Sequence, residues 1–322
     1  MILQLEYTKR LERLLGDYMK DVVEFIKDNN IGKFDEDVNL KKHCTYKVGG
    51  TCKVMVYPKD TKKLVSLLKY LKANNILYRV IGKGSNILFS NKEYNGVLIK
   101  LDEFNECDFY GRNNTKVKVG AGYSLLKLSL MAAKKGLTGL EFASGIPGTV
   151  GGAVFMNAGA YKSDMGYVVE TVKVLTPNLE IINLENKEMN FHYRSSFLQT
   201  HRDYVCLEVI LKLNVGKREA IEDVIRERRE RRVASQPLEY PSAGSVFRNP
   251  EGGFAGQLIE ESGLKGMTKG GAMISDKHAN FVINYKDATS SDIKYLIDLA
   301  HDTVLEKYNV DMKIEQEFVN WE

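Results

Sequence analysis

Residues 144–161 read SGIPGTVGGAVFMNAGAY, a composition that ordinary packing does not explain. Glycine at this density permits positive φ angles and lets a ligand approach backbone N–H groups closely, while proline stiffens a turn. The stretch therefore predicts a backbone cradle for an anion such as a diphosphate. A plain glycine-rich loop between a helix and a strand is the alternative. The residues in question are Gly145, Gly148, Gly151, Gly152, Gly159, Pro147 and Asn157.

A second glycine-containing loop, GKGSNILFS, occupies residues 82–90. It follows a predicted strand and superficially offers GxGxxG, the phosphate-binding pattern of dinucleotide folds. The sixth position is Ile87 and no helical pattern follows, so the dinucleotide fingerprint fails. A different phosphate cradle, with donors from Gly84, Ser85 and Asn86, and a plain hairpin turn both remain open.

Composition narrows the class of protein. The chain has 322 residues, of which 43% are hydrophobic and 27% charged, and its formal net charge is +4. This length predicts two or three domains, and so small a charge excess gives no argument for nucleic-acid binding. No apolar run approaches the roughly 20 residues of a membrane span, so we expect no membrane segment and a cytoplasmic location. The four cysteines lack metal-ligand spacing, and we expect no metal site.

Hydrophobic periodicity predicts helices mixed with strands along the whole chain. Helical spacing is found over residues 2–28, 60–75, 124–136, 217–232, 254–264 and 291–308. Alternation is found over residues 38–58, 76–82, 97–123, 168–175, 204–213 and 312–321.

Several polar side chains outside the two loops are candidates for chemistry. Arg194 could bind a carboxylate or phosphate bidentately, or could be a surface or interface arginine. Ser245 follows Gly244 in a predicted tight turn; without a GxSxG elbow or a nearby histidine it does not indicate a serine hydrolase. Glu315 and Glu317 lie two positions apart on one face of the last strand, where exposure on an edge strand is the alternative.

Seven stretches together resemble the UDP-N-acetylenolpyruvoylglucosamine reductase family, flavoenzymes that complete UDP-N-acetylmuramate in peptidoglycan synthesis. The stretches are TYKVGG (45–50), IGKGSNIL (81–88), SGIPGTVGGAVFMNAGAY (144–161), YRSSF (193–197), QPLEYPSAGSVFRNP (236–250), FAGQLIEESGLKG (254–266) and GGAMISDKHANFVIN (270–284). They are long and unusual and extend over most of residues 40–284. The short connection between YRSSF and the SAGSVF turn resembles the type II branch of the family, which lacks an extra loop that closes over substrate.

The resemblance implies an α+β fold. An FAD-binding unit of two subdomains, of the PCMH type found in vanillyl-alcohol-oxidase-like flavoproteins, is followed by a third α+β domain that binds substrate. The implied boundaries are an N-terminal helical segment at 1–36, FAD-binding subdomain 1 at 37–105 joined by the C-terminal strand 309–322, FAD-binding subdomain 2 at 106–216, and the substrate-binding domain at 217–308.

The resemblance also implies the reaction. NADPH reduces non-covalently bound FAD, and the reduced flavin then delivers a hydride to the enolpyruvyl double bond of a UDP-sugar. Arg194 matches the cation that stabilises the developing enolate, and Ser245 matches the proton donor. The third catalytic residue is a C-terminal glutamate, for which the family's spacing selects Glu317, with Glu315 as second choice.

The binding residues are carried over in the same way. The implied FAD-binding residues are Gly82, Gly84, Ser85, Asn86, Gly145, Pro147, Gly148, Val150, Gly151, Gly152 and Asn157. The implied substrate contacts are Asn249, Lys265, His278 and Tyr193. Two other classes remain open: a flavin oxidase of the same superfamily, against which neither loop holds a histidine for covalent attachment, and a non-catalytic protein that binds a sugar nucleotide or flavin.

Overall fold

The structure, a computed structural model, describes residues 19–321. Helix α1 is described over residues 19–28; the earlier part of the predicted helical stretch 2–28 lies outside the described residues. Helix α1 packs on helix α2, where the rings of Phe25 and Tyr70 stack with centroids 4.0 Å apart. The further helices are α2 (Thr61–Ala73), α3 (Leu125–Lys134), α4 (Val150–Met156), α5 (Phe197–Thr200), α6 (Arg218–Ser235), α7 (Ala255–Glu261) and α8 (Ser290–Tyr308).

Short strands make up the rest of the regular structure. Those of the first half are β1 (Gly32–Asn39), β2 (Thr51–Pro58), β3 (Tyr78–Ile81), β4 (Ile87–Phe89), β5 (Tyr94–Lys100), β6 (Cys107–Tyr110), β7 (Lys116–Gly120), β8 (Leu137–Thr138) and β9 (Gly159–Ala160). Those of the second half are β10 (Ser163–Asp164), β11 (Val169–Leu175), β12 (Ile181–Glu185), β13 (Val205–Lys212), β14 (Asn214–Val215), β15 (Thr268–Lys269), β16 (Ala272–Ile274), β17 (Val282–Asn284) and β18 (Glu317–Val319).

Three sheets follow one another along the chain. The first has the order β1-β2-β5-β3 and is mixed, since β1 and β2 are antiparallel and the other pairs parallel. The second, β12-β11-β13-β7-β6, is antiparallel throughout. The third, β15-β16-β17, is small and antiparallel. The exact domain boundaries stay a prediction.

The first sheet separates two hydrophobic cores. Val54 and Val56 of β2 belong to a core shared with the second sheet and helices α1 to α4, whereas Met55 belongs to a core shared with helix α8 and the third sheet. Both faces of β2 are therefore buried, as its nearly continuous apolar sequence CKVMVYP predicts.

The C-terminal segment returns to the first part of the chain. Strand β18 pairs in parallel with β4, so that Glu317 lies opposite Ile87. Just before it, Ile314 forms an isolated antiparallel bridge with Phe247. This segment thus touches both the loop after β3 and the turn before Phe247.

The glycine-rich stretch is more regular than the sequence predicts. Its centre is helix α4, whose first turn is capped by Thr149, since the Gly152 amide donates to Thr149 Oγ1 at 3.2 Å. Asn157 ends the helix in the left-handed conformation, with φ +42°. The alternative of a plain glycine-rich loop therefore does not hold for residues 150–156.

No helix within residues 19–321 is both long and apolar enough to cross a membrane. The same part of the chain holds no group of three or more His, Cys, Asp or Glu side chains that could bind a metal ion.

Candidate functional site

A cavity of about 1500 Å³ lies between the first sheet, the glycine-rich stretch and the C-terminal segment. Pockets for one drug-sized ligand usually measure about 300–1,000 Å³, so this cavity can hold more than one small molecule. Its walls are drawn from residues 77–87, 146–161, 194–206, 231–245 and 315–321.

The two glycine loops face each other across part of this cavity. A Cβ on Gly82 would lie 2.7 Å from Thr149 Oγ1, and a Cβ on Gly148 would lie 3.7 Å from Ser85 Oγ. Gly84 has φ +64°, and a Cβ there would lie 2.2 Å from the His43 carbonyl oxygen. Glycine is required at 84 because the backbone of His43 approaches so closely, and at 82 because a side chain would collide with Thr149 Oγ1, which caps helix α4.

The loop after β3 offers unused backbone donors. Within residues 19–321, no hydrogen bond uses the backbone amides of residues 83–86. Successive free N–H groups in a tight turn form a concave site for an anion. These residues therefore fit the diphosphate of the FAD that the sequence predicts.

The structure places most of the predicted flavin-binding residues at the cavity wall. These are Gly82, Gly84, Ser85, Asn86, Pro147, Gly148, Gly151 and Gly152. Three others lie behind it. Val150 is fully buried in the core, and Gly145 packs against the guanidinium group of Arg232.

Asn157, the third of these, is buried under a two-residue turn. Its Nδ2 donates to the His192 carbonyl at 2.8 Å, and its Oδ1 accepts from the Gly166 amide at 2.9 Å. His192 and Ser195 close the turn by exchanging two backbone hydrogen bonds of 3.0 Å. Asn157 therefore supports the turn that carries Arg194.

Arg194 projects from this turn into the cavity. Its backbone has φ +53°, a left-handed conformation that costs a non-glycine residue energy and is common at functional turns. Its Nε donates to Glu315 Oε1 at 2.9 Å and its Nη2 to the Gly159 carbonyl at 2.8 Å. The guanidinium group also lies 5.1 Å from the centre of the Tyr193 ring.

Glu315 is the carboxylate that meets Arg194. Only 14% of its side chain is exposed, and burial raises the pKa of its carboxyl group although the Arg194 charge acts in the opposite direction. Its carbonyl accepts from Asn86 Nδ2 at 3.0 Å. Asn86 thus connects the loop after β3 to the segment that carries Glu315.

Glu317 lines the same cavity but has other partners. Arg202 binds both of its carboxylate oxygens, at 2.6 and 2.9 Å, and Arg79 binds one of them at 3.0 Å. Arg194 pairs with Glu315 and not with Glu317 in this structure, while the catalytic role of Glu317 stays a prediction. Glu317 is held in a cluster of its own with two arginines.

Ser245 comes just before a backbone bridge to the C-terminal segment, between Phe247 and Ile314. The Glu315 amide donates to the Val246 carbonyl at 2.8 Å, so Val246 lies opposite Glu315 and Ser245 is its next neighbour in the chain. Gly244 has φ +78°, which forms the tight turn that the sequence predicts. Ser245 lines the cavity together with Arg194 and Glu315.

The four predicted substrate contacts lie outside the cavity wall. Asn249 Oδ1 accepts from the Ala255 amide at 3.2 Å, and Lys265 Nζ donates to Glu260 Oε1 at 3.0 Å. Burial lowers the pKa of His278, and the Lys265 charge acts in the same direction. Tyr193 is 52% exposed.

Residues that sequence reasoning did not single out also contribute. Arg79 and Arg202 bind Glu317, and Gln316 contacts the turn that carries Ser245. Arg232, one of the charged residues of α6, is half-buried against the glycine-rich stretch, and burial lowers its pKa. The sequence held one signal for Gln316. In a strand, Gln316 shares a face with the apolar Ile314 and Phe318, opposite the two glutamates, and this pattern indicates that it points into the protein.

Family models match two parts of the chain. The model described as UDP-N-acetylenolpyruvoylglucosamine reductase, C-terminal domain, matches residues 236–319. A model described as FAD binding domain matches residues 52–185, which include both glycine loops. The predictions of FAD as the cofactor and of an α+β flavoprotein fold are confirmed.

Full-length relatives agree with these matches. The UDP-N-acetylenolpyruvoylglucosamine reductase of Anoxybacillus flavithermus is 43% identical over 301 residues, which cover 94% of this chain and 99% of the relative. That of Bacillus subtilis is 40% identical with the same coverage. The crystal structure of UDP-N-acetylenolpyruvylglucosamine reductase from Thermus caldophilus is 35% identical and covers 88% of this chain and 98% of its own, with a TM-score of 0.76.

Proposed function

We propose, since this chain belongs to the UDP-N-acetylenolpyruvoylglucosamine reductase family, that it reduces the enolpyruvyl group of UDP-N-acetylglucosamine-enolpyruvate and so forms UDP-N-acetylmuramate for peptidoglycan. Bound FAD, whose cavity wall residues 82–86, 147–149 and 151–152 would form, would supply the hydride transfer between NADPH and the terminal carbon of the enolpyruvyl group. The observation that carries the assignment of residues is the Arg194–Glu315 ion pair in one cavity with Ser245.

Arg194 binds the substrate carboxylate and stabilises the charge that develops beside it. Its Nε and Nη2 are engaged by Glu315 and Gly159, and within residues 19–321 no hydrogen bond uses Nη1. When the hydride adds to the terminal carbon, negative charge gathers on the carbon next to the carboxylate. A guanidinium group that is fixed in place and largely buried, with 22% of its side chain exposed, lowers the energy of that state.

Glu315 orients Arg194 and is the proposed third catalytic residue in place of Glu317. Its carboxylate fixes the Nε side of the guanidinium group, which leaves the Nη1 side to face the substrate.

Ser245 donates the proton that completes the reduction. The O–H bond of its Oγ breaks as the new C–H bond forms at the carbon that bears the carboxylate, and water in the cavity restores the hydroxyl proton. A serine hydroxyl is a weak acid, so it serves this step because the enolate is strongly basic.

The UDP-sugar contacts are proposed for the domain that follows helix α6. Asn249, Lys265 and His278 supply an amide, a cation and an imidazole there, and Tyr193 supplies an exposed aromatic ring beside Arg194. The proposed partners are the small molecules UDP-sugar and NADPH, without nucleic acid or membrane, and the proposed location is the cytoplasm.

The first prediction separates the two halves of the reaction in Ser245→Ala. NADPH should reduce the flavin of this variant at the wild-type rate, because Ser245 takes no part in that step. Reoxidation by the enolpyruvyl substrate should fall by about 100-fold or more, since the proton donor is gone. Anaerobic stopped-flow absorbance of the flavin measures both rates.

The matched control is Ser262→Ala, which removes a hydroxyl bonded to the Leu258 carbonyl. Both of its rates should equal those of the wild type. Reduction of the flavin by a sugar alcohol followed by its reoxidation by oxygen, with no response to NADPH, would instead indicate a flavin oxidase. A Ser245→Ala variant with the wild-type reoxidation rate would contradict the assignment of the proton donor.

A further inference from the structure

The segment Ile314–Glu317 sends alternate side chains to opposite sides. Glu315 and Glu317 face the cavity, whereas Gln316 points away from it and is 5% exposed. Burying an amide costs free energy unless all of its polar atoms find partners. The partners of Gln316 therefore indicate why a polar residue occupies this position.

The amide of Gln316 bridges a tyrosine and the turn that carries Ser245. Its Oε1 accepts from the Tyr46 hydroxyl at 3.0 Å. Its Nε2 lies 3.5, 3.3 and 3.4 Å from the carbonyl oxygens of Ala243, Gly244 and Ser245. These distances are long for single hydrogen bonds, so the N–H groups are shared by three carbonyls and centred on the turn.

Tyr46 fixes the orientation of that amide. Its side chain is fully buried, and burial raises its pKa, so the hydroxyl stays protonated and acts as the donor. A donor at this position selects the oxygen of Gln316, and the amide nitrogen must then face the turn. The Tyr46 carbonyl is itself bound by Asn284 Nδ2 at 3.1 Å, which anchors this residue to strand β17.

Backbone hydrogen bonds hold the residues on either side of the turn, at Pro241 and Val246, but, in the part of the chain that the structure describes, not the three carbonyls within it. Among residues 19–321, Gln316 is the donor that the carbonyls of Ala243, Gly244 and Ser245 share. The left-handed Gly244 has no heavy atom within 4 Å of the position that a Cβ would take, so packing does not restrain it from that side. The turn would gain conformational freedom without the amide.

We propose that Gln316, held by Tyr46, is a positioning residue that fixes the Ser245 hydroxyl relative to Glu315 and Arg194. This inference rests on the proposed function, in which Ser245 is the proton donor. One short segment then sets the geometry of two catalytic groups, since Glu315 belongs to it and Gln316 holds the turn of Ser245. Proton transfer is sensitive to such placement, because it requires hydrogen-bond distance between donor and acceptor.

The test is Gln316→Met, which keeps the length of the side chain and removes both polar atoms. Flavin reduction by NADPH should stay within about twofold of the wild-type rate, whereas reoxidation by the enolpyruvyl substrate should slow by roughly 10- to 100-fold. The solvent deuterium isotope effect on reoxidation should rise, because proton transfer becomes more rate-limiting. Combined with Ser245→Ala, the substitution should add no further loss.

Two variants and one structural readout accompany this test. Tyr46→Phe should also slow reoxidation, because loss of the hydroxyl frees the Gln316 amide to rotate. If Gln316→Met fails to retain flavin, the Tyr46→Phe variant decides between the outcomes. Gln257→Met, which removes an exposed amide bonded to Glu261, should behave as wild type. Hydrogen exchange of the holoenzyme should quicken at the Val246 and Phe247 amides in both Gln316→Met and Tyr46→Phe, because these amides bond to Asn280 directly after the turn.

The outcomes are distinguishable. Slow reoxidation with normal reduction and faster exchange in the turn supports the inference. Wild-type reoxidation in Gln316→Met, beside a collapsed rate in Ser245→Ala, overturns the inference and leaves the proposed function standing. A wild-type rate in Ser245→Ala itself overturns both.

Discussion

Glu315 bonds to one arginine in the cavity, Arg194, whereas Glu317 bonds to two, Arg79 and Arg202. The two carboxylates have similar exposure, 14% and 16% of their side chains. Their chemistry differs because of what surrounds them. Arg194 can offer one end of its guanidinium group to a substrate. Arg79 and Arg202 instead both bind the Glu317 carboxylate.

Conversion of each glutamate to glutamine should separate these roles. Glu315→Gln should slow flavin reoxidation by the enolpyruvyl substrate by about 100-fold, because the orientation and charge at Arg194 change. Glu317→Gln should leave that rate within about threefold and lower the free energy of unfolding by about 1–2 kcal/mol, because two arginines lose a charged partner. Stopped-flow kinetics and urea unfolding of the same two proteins measure this contrast, and the reverse pattern would restore Glu317 as the catalytic residue.

Asn157 shows how a buried residue can serve a site that it does not touch. Its amide holds the backbone of the His192–Ser195 turn, and its left-handed backbone ends helix α4. The sequence prediction assigned it to FAD because it lies in the glycine-rich stretch. Its contacts indicate an indirect role through the placement of Arg194.

Helix α4 is the element that turns the glycine-rich stretch into a rigid wall. Gly151 lies in its first turn, where a Cβ would come within 2.8 Å of the Ala121 Cβ and 3.2 Å of the Ala121 carbonyl oxygen. The glycine therefore permits close packing of the helix on the end of β7. Intrinsic helix propensity favours alanine there by about 1 kcal/mol, so packing and propensity oppose each other.

We expect packing to prevail in Gly151→Ala. The free energy of unfolding should fall by about 1–3 kcal/mol, since the added methyl group overpacks a buried contact. The control is Gly256→Ala in helix α7, where the new Cβ would lie an ordinary 3.5 Å from His278 Cε1. That variant should unfold at the same or a slightly higher urea concentration than the wild type; an equal gain in both would mean that propensity alone decides.

At the scale of the whole molecule, the chain between helix α8 and β18 connects that helix to the strand that pairs with β4. His301 of α8 contacts Asp302 and Asp311 at 2.9 and 3.0 Å, and its ring stacks against Phe247. The hydrogen bonds to Asp302 and Asp311 raise the pKa of His301 above the ordinary value of 6.5. A charged His301 therefore fastens the start of the connecting segment.

The sign of the resulting pH dependence follows from this shift. Because the pKa is higher in the folded state, the extra stability is fully present below pH 6.5 and is lost as the pH rises through the folded pKa. Urea unfolding of the wild type and His301→Asn between about pH 5.5 and pH 8.5 should show a difference that shrinks as the pH rises. A constant difference would mean that stacking on Phe247, and not charge, is what His301 contributes.

Much of the site could be predicted from the sequence because local chemistry requires particular residues. Gly244 is required by its φ of +78°, and Gly82 and Gly84 by close approaches of 2.7 Å to Thr149 Oγ1 and 2.2 Å to the His43 carbonyl oxygen. Each of these constraints leaves a glycine as a direct signal in the sequence, although the partners at 82 and 84 are distant in the chain. The resemblance added the flavin, the reaction and the roles of Arg194 and Ser245.

Only the tertiary structure decided which glutamate meets Arg194 and what supports the turn of Ser245. A strand places residues 315 and 317 on one face, so strand periodicity cannot tell which of the two contacts Arg194. Their partners are set by contacts across 121 positions of the chain for Glu315 and 115 and 238 positions for Glu317. The same holds for Gln316, whose amide joins Tyr46, 270 positions away, to the catalytic turn. Local periodicity fixes which way a side chain points, and long-range packing fixes what it meets there.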